Sequence, residues 1–383
     1  MMTEGPLARF TLDLDNLRAM LGLDEDATPR AVVRAARPVS PGFAAVALSV
    51  AEADGHTLGS GSRDEVSRAR GRIARYEQVA AAAARTGAAR VVKGPSLARW
   101  YPRPLVRSMC DLDLLVPDEA ALWRVVRGIA AEYSPDLLYV SVLARGPVRD
   151  LVATLCWPAP DPLLDADLKI EVATLVHAGD LRHVPVRAGA PTDPGVANLL
   201  ALAEERFQHP FGVKDAIDVA VLLGSPDAPD PAEVVAAARE YLLAPELLEL
   251  VEYACARPRL LTEPAPALME PLRDAARAET ERRAGSTPVT PADGDGDGDG
   301  DVRRRMALGL PVHGLHLRDA DHPGRQVARI EDFDSGVLLR APVADFLLVG
   351  QELVDEQLYR AALAFLEKGR DAQSTDREED RPW

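Results

Sequence analysis

The chain is 383 residues long and carries 60 Asp and Glu against 44 Lys and Arg, a formal net charge of −16 at pH 7. That balance argues against a protein that coats nucleic acid nonspecifically, because such binding rests on basic residues displacing counterions; a local basic patch is compatible with it. Hydrophobic residues make up 47%, yet no apolar run nears the roughly 20 residues of a membrane span and no basic start leads into an apolar stretch. The expectation is a soluble, cytoplasmic protein with no membrane partner, large enough for two or three domains.

Residues 1–62 read as a helical cap. Thr28 is placed to cap a helix whose first residue is Pro29, with Val32, Val33 and Ala36 on one stripe. Leu12-Asp13-Leu14-Asp15 leads into a helical sequence, so its acids read as a solvated helix start. Gly59-Ser60-Gly61-Ser62 lacks the Lys-Ser/Thr ending of a phosphate loop and reads as a hinge. Ser62 with Glu65 forms a capping-box pattern that predicts a helix over 63–86, stopped by Gly87.

A core over 63–185 follows. It contains a predicted strand at 88–93, a Gly-Pro break, a short helix at 96–101, a proline-rich turn and a strand at 109–116. Asp118 then opens a helix carrying Leu122, Val125, Val126 and Ile129, and strand-like runs occupy 137–143, 148–156 and 167–176. Five helices are predicted between 186 and 290, at 196–207, 213–223, 231–243, 245–256 and 265–283. The Asp-Gly run at 293–301 fails as a calcium loop, because Arg304 stands where the twelfth-position glutamate is needed, and 291–301 reads as an acidic linker.

A β-rich module is predicted over 302–368, with strands at 306–317 and 326–349, a helix at 351–368 and a disordered tail at 369–383. His313, His316 and His322 match no metal signature and read as surface or core residues. Cys110, Cys156 and Cys255 are odd in number and far apart, so reduced core positions are expected. The predicted fold class is α+β: a small mixed sheet flanked by helical lobes, with a small C-terminal α/β module and a ligand cleft between lobes.

The chemistry concentrates at 88–117. Asp111-Leu112-Asp113-Leu114 alternates strictly, so both aspartates share one strand face, where they repel unless a cation or a proton lies between them. Oxygen ligands that leave positions open for phosphate suit magnesium. A third carboxylate from a neighbouring strand would complete a two-metal site for attack at phosphorus. Glu171, in Leu168-Lys169-Ile170-Glu171-Val172, is the candidate, with Asp167 as fallback. Lys93, Arg99, Arg103 and Arg107 form a basic collar without an acid among them.

Val92-Lys93-Gly94, Leu97, Tyr101-Pro102, Arg107 and Asp111-Leu112-Asp113-Leu114-Leu115-Val116 together resemble a family of uncharacterised nucleotidyltransferases within the polymerase-β-like superfamily. The likeness is densest over 70–132 and thins through 137–224, where Lys214-Asp215 and Asp218 resemble a later helix of that family. Lys93-Gly94 stands where most of the superfamily has Gly-Ser, and Ala173 stands where the family tends to have histidine. The resemblance implies a polymerase-β-like lobe in which Asp111, Asp113 and Glu171 hold Mg2+ and Glu171 helps deprotonate the acceptor. It further implies that Lys93, Gly94, Arg107 and Lys214 bind the phosphates of a nucleoside triphosphate, with ATP foremost. The implied reaction moves a nucleoside monophosphate to a small-molecule, peptide or protein acceptor and releases pyrophosphate. Two alternatives stand beside it, a transferase acting on a tRNA end and an inactive binding module of the same fold.

Overall fold

A computed structural model of the chain describes residues 12–379, apart from 108, 146–147, 258–259, 261–265, 287–301, 321–323, 335 and 351–353. The Asp-Gly run and His322 lie outside the described residues. Three short helices come first, α1 (Leu14–Met20), α2 (Pro29–Ala36) and α3 (Phe43–Ala53). Asp13 caps α1 by accepting from the Asn16 amide, and Thr28 caps α2 by accepting from the Ala31 amide, each satisfying a backbone donor that a helix start leaves free.

The long helix α4 (Ser60–Gly87) begins three residues ahead of the sequence expectation. Its N-cap is Gly59 and no side chain caps it, so the Ser62–Glu65 pattern lies inside the first turns and Ser60-Gly61-Ser62 is helix rather than hinge. Then follow β1 (Arg90–Val92), α5 (Pro95–Ala98), β2 (Asp111–Leu115), α6 (Glu119–Tyr133), β3 (Leu137–Arg145), β4 (Val148–Trp157) and β5 (Leu168–Ala173). The second helical region is α7 (Pro194–Glu204), a 3₁₀ turn at Glu205–Phe207, α8 (Val213–Leu223), α9 (Pro231–Glu240), α10 (Ala244–Cys255) and α11 (Pro266–Gly285). The chain closes with α12 (Val302–Ala307), β6 (Val312–Asp319), β7 (Arg329–Phe333), β8 (Gly336–Arg340), β9 (Ala344–Val349) and α13 (Glu356–Glu379). That last helix continues ten residues past Gly369, where the sequence reading places the start of disorder.

The fold is α+β, and its strands form one mixed nine-stranded sheet in the order β1-β2-β5-β4-β3-β6-β9-β8-β7. The C-terminal strands are therefore not a separate module's sheet, as the sequence led us to expect. Strand β6 pairs antiparallel with β3, placing Val140 opposite Gly314 and Ser141 opposite His313. The physical reason is the open edge that β3 would otherwise present, a row of unpaired backbone donors and acceptors that pairing removes.

Only the β2–β5 pair is parallel among the ladders described. Helices α4 and α6 cover one face of the sheet, packing Tyr76, Val79, Leu122 and Val126 onto Leu112, Leu114, Ile170 and Val172, and the same core runs on to Phe346 and Leu348. The helices of the two ends of the chain's first 285 residues, α1–α3 and α7–α11, share a second apolar core with Leu97 and Tyr101. Helix α13 packs Ala362 and Leu366 on Leu338 and Leu347. Of the cysteines expected in the core, Cys110 is exposed and Cys156 and Cys255 are half-buried. Among the described residues no helix is long and apolar enough to cross a membrane.

Close packing at the β3–β6–β9 junction has a single small residue at its centre. A Cβ at Gly314 would stand 2.4 Å from Val140 Cγ2 and 3.1 Å from Phe346 Cβ, and both neighbours are fully buried. Gly314→Ala is expected to lower stability by about 1–3 kcal/mol, read as a lower urea midpoint at unchanged slope.

Candidate active site

Alternation on β2 and the parallel register of β5 build the site. The pairing sets Asp111 opposite Lys169 and Asp113 opposite Glu171, so all four side chains leave the same face while Leu112, Leu114, Ile170 and Val172 point into the core. Buried Tyr76 on α4 locks this register: its hydroxyl donates to the Cys110 carbonyl at 2.8 Å and accepts from the Lys169 amide at 3.2 Å. Arg72, one turn earlier, donates to the carbonyls of Ala166 and Asp167.

Lys93 and Gly94 make the turn out of β1 with φ of 57° and 42°. Glycine is required at the second position, because a Cβ there would press on the Asp111 carbonyl at 3.3 Å in a left-handed conformation. The following α5 is one turn long and starts with Pro95, which has no N–H to offer an anion. Lys93 Nζ instead lies 3.2 Å from Glu205 Oε1. Burial would lower the Lys93 pKa, but Glu205, Asp113 and Glu204 outweigh it and hold the ammonium charged.

Arg107 and Asp218 form the second anchor. Asp218 on α8 is fully buried and accepts from Arg107 Nε and Nη2, both at 2.9 Å, from Tyr101 Oη at 2.6 Å and from Lys214 Nζ at 3.3 Å. Burial alone would raise its pKa; the adjoining Arg107 and Lys214 cations overcome that and hold it down at about 2. Arg107 lines the cavity with two of its donors already committed to this pair.

All seven residues singled out in the sequence, Lys93, Gly94, Arg107, Asp111, Asp113, Glu171 and Lys214, line one cavity of about 410 Å³. The fallback Asp167 is not among its lining residues, nor are Arg99 and Arg103 of the collar. Lining residues that the sequence reading missed include Lys169, Glu205 and His209. Only Lys169 had a usable signal, two residues before Glu171 and hence on its face; Glu205 and His209 arrive on a turn that no local pattern connects to β2. Compared with protein-family models, curated proteins and solved structures, the chain matches none.

The electrostatics concentrate on Asp113. Burial, then repulsion from Asp111, pushes its carboxyl up to about 7, against the pull of Lys93. Lys169 Nζ lies 3.1 Å from Asp111 Oδ2 and 2.9 Å from Glu171 Oε1, and those two carboxylates raise its pKa despite burial. No group of three or more His, Cys, Asp or Glu side chains among the described residues is arranged to hold a metal ion. The donor set nonetheless suits a hard divalent cation: three carboxylates share one face, and burial together with repulsion from Asp111 raises the Asp113 carboxyl.

The Asp113 shift fixes the sign of a pH dependence. Between the ordinary 3.8 and about 7 the folded chain keeps a proton at Asp113 that the unfolded chain has released, so this group's contribution to stability falls as pH rises through that window. Asp113→Asn is expected to melt above the wild-type protein at about pH 8 and to lose that advantage by about pH 4. Metal-free thermal melts at the two pH values check it.

Proposed function

We propose that this chain is a magnesium-dependent, cytoplasmic nucleotidyltransferase with a polymerase-β-like lobe. It transfers a nucleoside monophosphate, from ATP first among the triphosphates, to a small-molecule, peptide or protein acceptor and releases pyrophosphate. The observation that carries the reading is convergence. Residues chosen from segments as distant as Lys93, Asp111, Glu171 and Lys214 line a single cavity of ligand size.

Asp111, Asp113 and Glu171 would hold Mg2+, which when bound supplies charge neutralisation and polarisation at the phosphates. Lys93 is paired at 3.2 Å with Glu205, a contact that a triphosphate oxygen can replace with a stronger charge at the same ammonium. Lys214 presents the same chemistry from α8, steadied by Asp218. Arg107 acts through Asp218, orienting Lys214 and the segment that leads into β2. Glu171 would take the proton from an acceptor hydroxyl or amine as its oxygen or nitrogen attacks phosphorus.

Arg99 and Arg103 lie away from the cavity lining, which takes support from the tRNA reading. The non-catalytic module is favoured by one feature, the Lys169 ammonium seated between Asp111 and Glu171.

Incubation of the purified protein with Mg2+ and each labelled ribonucleoside triphosphate, together with candidate acceptors and cell extract, tests the reaction. Label transfer is expected, reduced roughly a hundredfold or more by Asp111→Asn. Triphosphate binding by calorimetry without transfer to any acceptor would leave the binding module, and absence of binding would overturn both.

A further inference from the structure

The three lysines lining the cavity have different partners. Lys93 lies 3.2 Å from Glu205 and Lys214 lies 3.3 Å from Asp218, both carboxylates outside the Asp111, Asp113 and Glu171 group. Lys169 is the lysine of the three that bridges two members of that group, at 3.1 Å and 2.9 Å.

Backbone register enforces the bridge. Lys169 is the cross-strand partner of Asp111, and Glu171 follows it by two residues on the same face. Its flexible stem can shift the ammonium, while the two carboxylates beside its own Cα stay within its reach. Charge points the same way. With all three carboxylates ionised, three negative charges less one ammonium leave two, the complement of one divalent ion, and a second dication beside Asp111 and Glu171 would be set against the ammonium at close range.

We propose that Lys169 is a resident cation of this site: its ammonium fills the place between Asp111 and Glu171 that a second divalent ion would take, so the cavity is built for one divalent ion. The catalytic consequence rests on the nucleotidyltransferase reading, in which transfer then needs one metal ion from solution and Lys169 is a positioning residue for the two carboxylates.

The test counts Mn2+ bound to the full chain, without nucleotide, from the electron paramagnetic resonance signal of the free ion. Wild type and Lys169→Arg are expected to bind one Mn2+ per chain. Lys169→Met, which keeps the bulk of the stem and drops the charge, is expected to bind about tenfold more tightly or to take a second ion. Lys169→Gln replaces it should the methionine variant fail to fold by circular dichroism. Asp111→Asn is expected to abolish binding. Two ions in the wild type, no ion in any variant, or equal number and affinity in wild type and Lys169→Met would each overturn the proposal. Since no nucleotide is present, absent label transfer counts against the enzyme reading alone, and unchanged ion number and affinity in Lys169→Met against Lys169 alone.

Discussion

Asp218 sits at the centre of α8 with no exposed surface and is met by three side chains at once, Tyr101, Arg107 and Lys214. Taking a carboxylate and a guanidinium out of water costs several kcal/mol each, and mutual attraction offsets this only when the remaining hydrogen-bonding positions are filled. Here both carboxylate oxygens are engaged, which is the condition for such a pair to be tolerated. What the pair secures is placement. Tyr101 and Arg107 belong to the segment between α5 and β2, and α8 belongs to the helical lobe, so this one carboxylate holds lobe and sheet at a fixed distance and keeps the cavity open between them.

On that frame the cavity is laid out as charges in facing pairs. Lys93 faces Glu205, Lys214 faces Asp218, and Lys169 faces Asp111 and Glu171. Asp113 has no cation within ion-pair distance among the described contacts, and burial, then repulsion from Asp111, raises its carboxyl to about 7. The imbalance sits on the strand face, and Lys93, Lys169 and Lys214 line the same cavity. A ligand that brings its own negative groups to the lysines and positive charge to the strand face completes the pattern.

Much of the site was legible before any fold was known, because alternation on a strand is a strictly local rule: Asp111 and Asp113 had to share a face, and an acid inside the run 168–172 had to be accounted for. What the sequence withheld was set by long-range pairing. Nothing local says that β5 lies beside β2, that the neighbouring face position belongs to a lysine acting as counter-ion, or that Arg107 is bound to a carboxylate on α8. The capping-box pattern at Ser62 and Glu65 failed for a related reason, since Val66 near the start of α4 packs with Leu48, Leu58 and Val106, and the helix begins ahead of the pattern on that tertiary support. The continuity of β3 with β6 was likewise invisible, because an exposed strand edge has no residue signature of its own.

The single parallel pair also governs how the site comes into being. Strand β5 lies between β2 and β4 in the sheet, and residues 116–167, which hold α6 and the β3–β4 hairpin, intervene between the two carboxylate-bearing strands. The hairpin closes through contacts near in sequence, whereas Asp113 and Glu171 meet only after that long segment has been gathered in, at a larger entropy cost. The carboxylate face thus rests on pairing more distant in sequence than that of the hairpin. Any ligand held jointly by Asp111, Asp113 and Glu171 would therefore report the completed β2–β5 pairing rather than the hairpin alone.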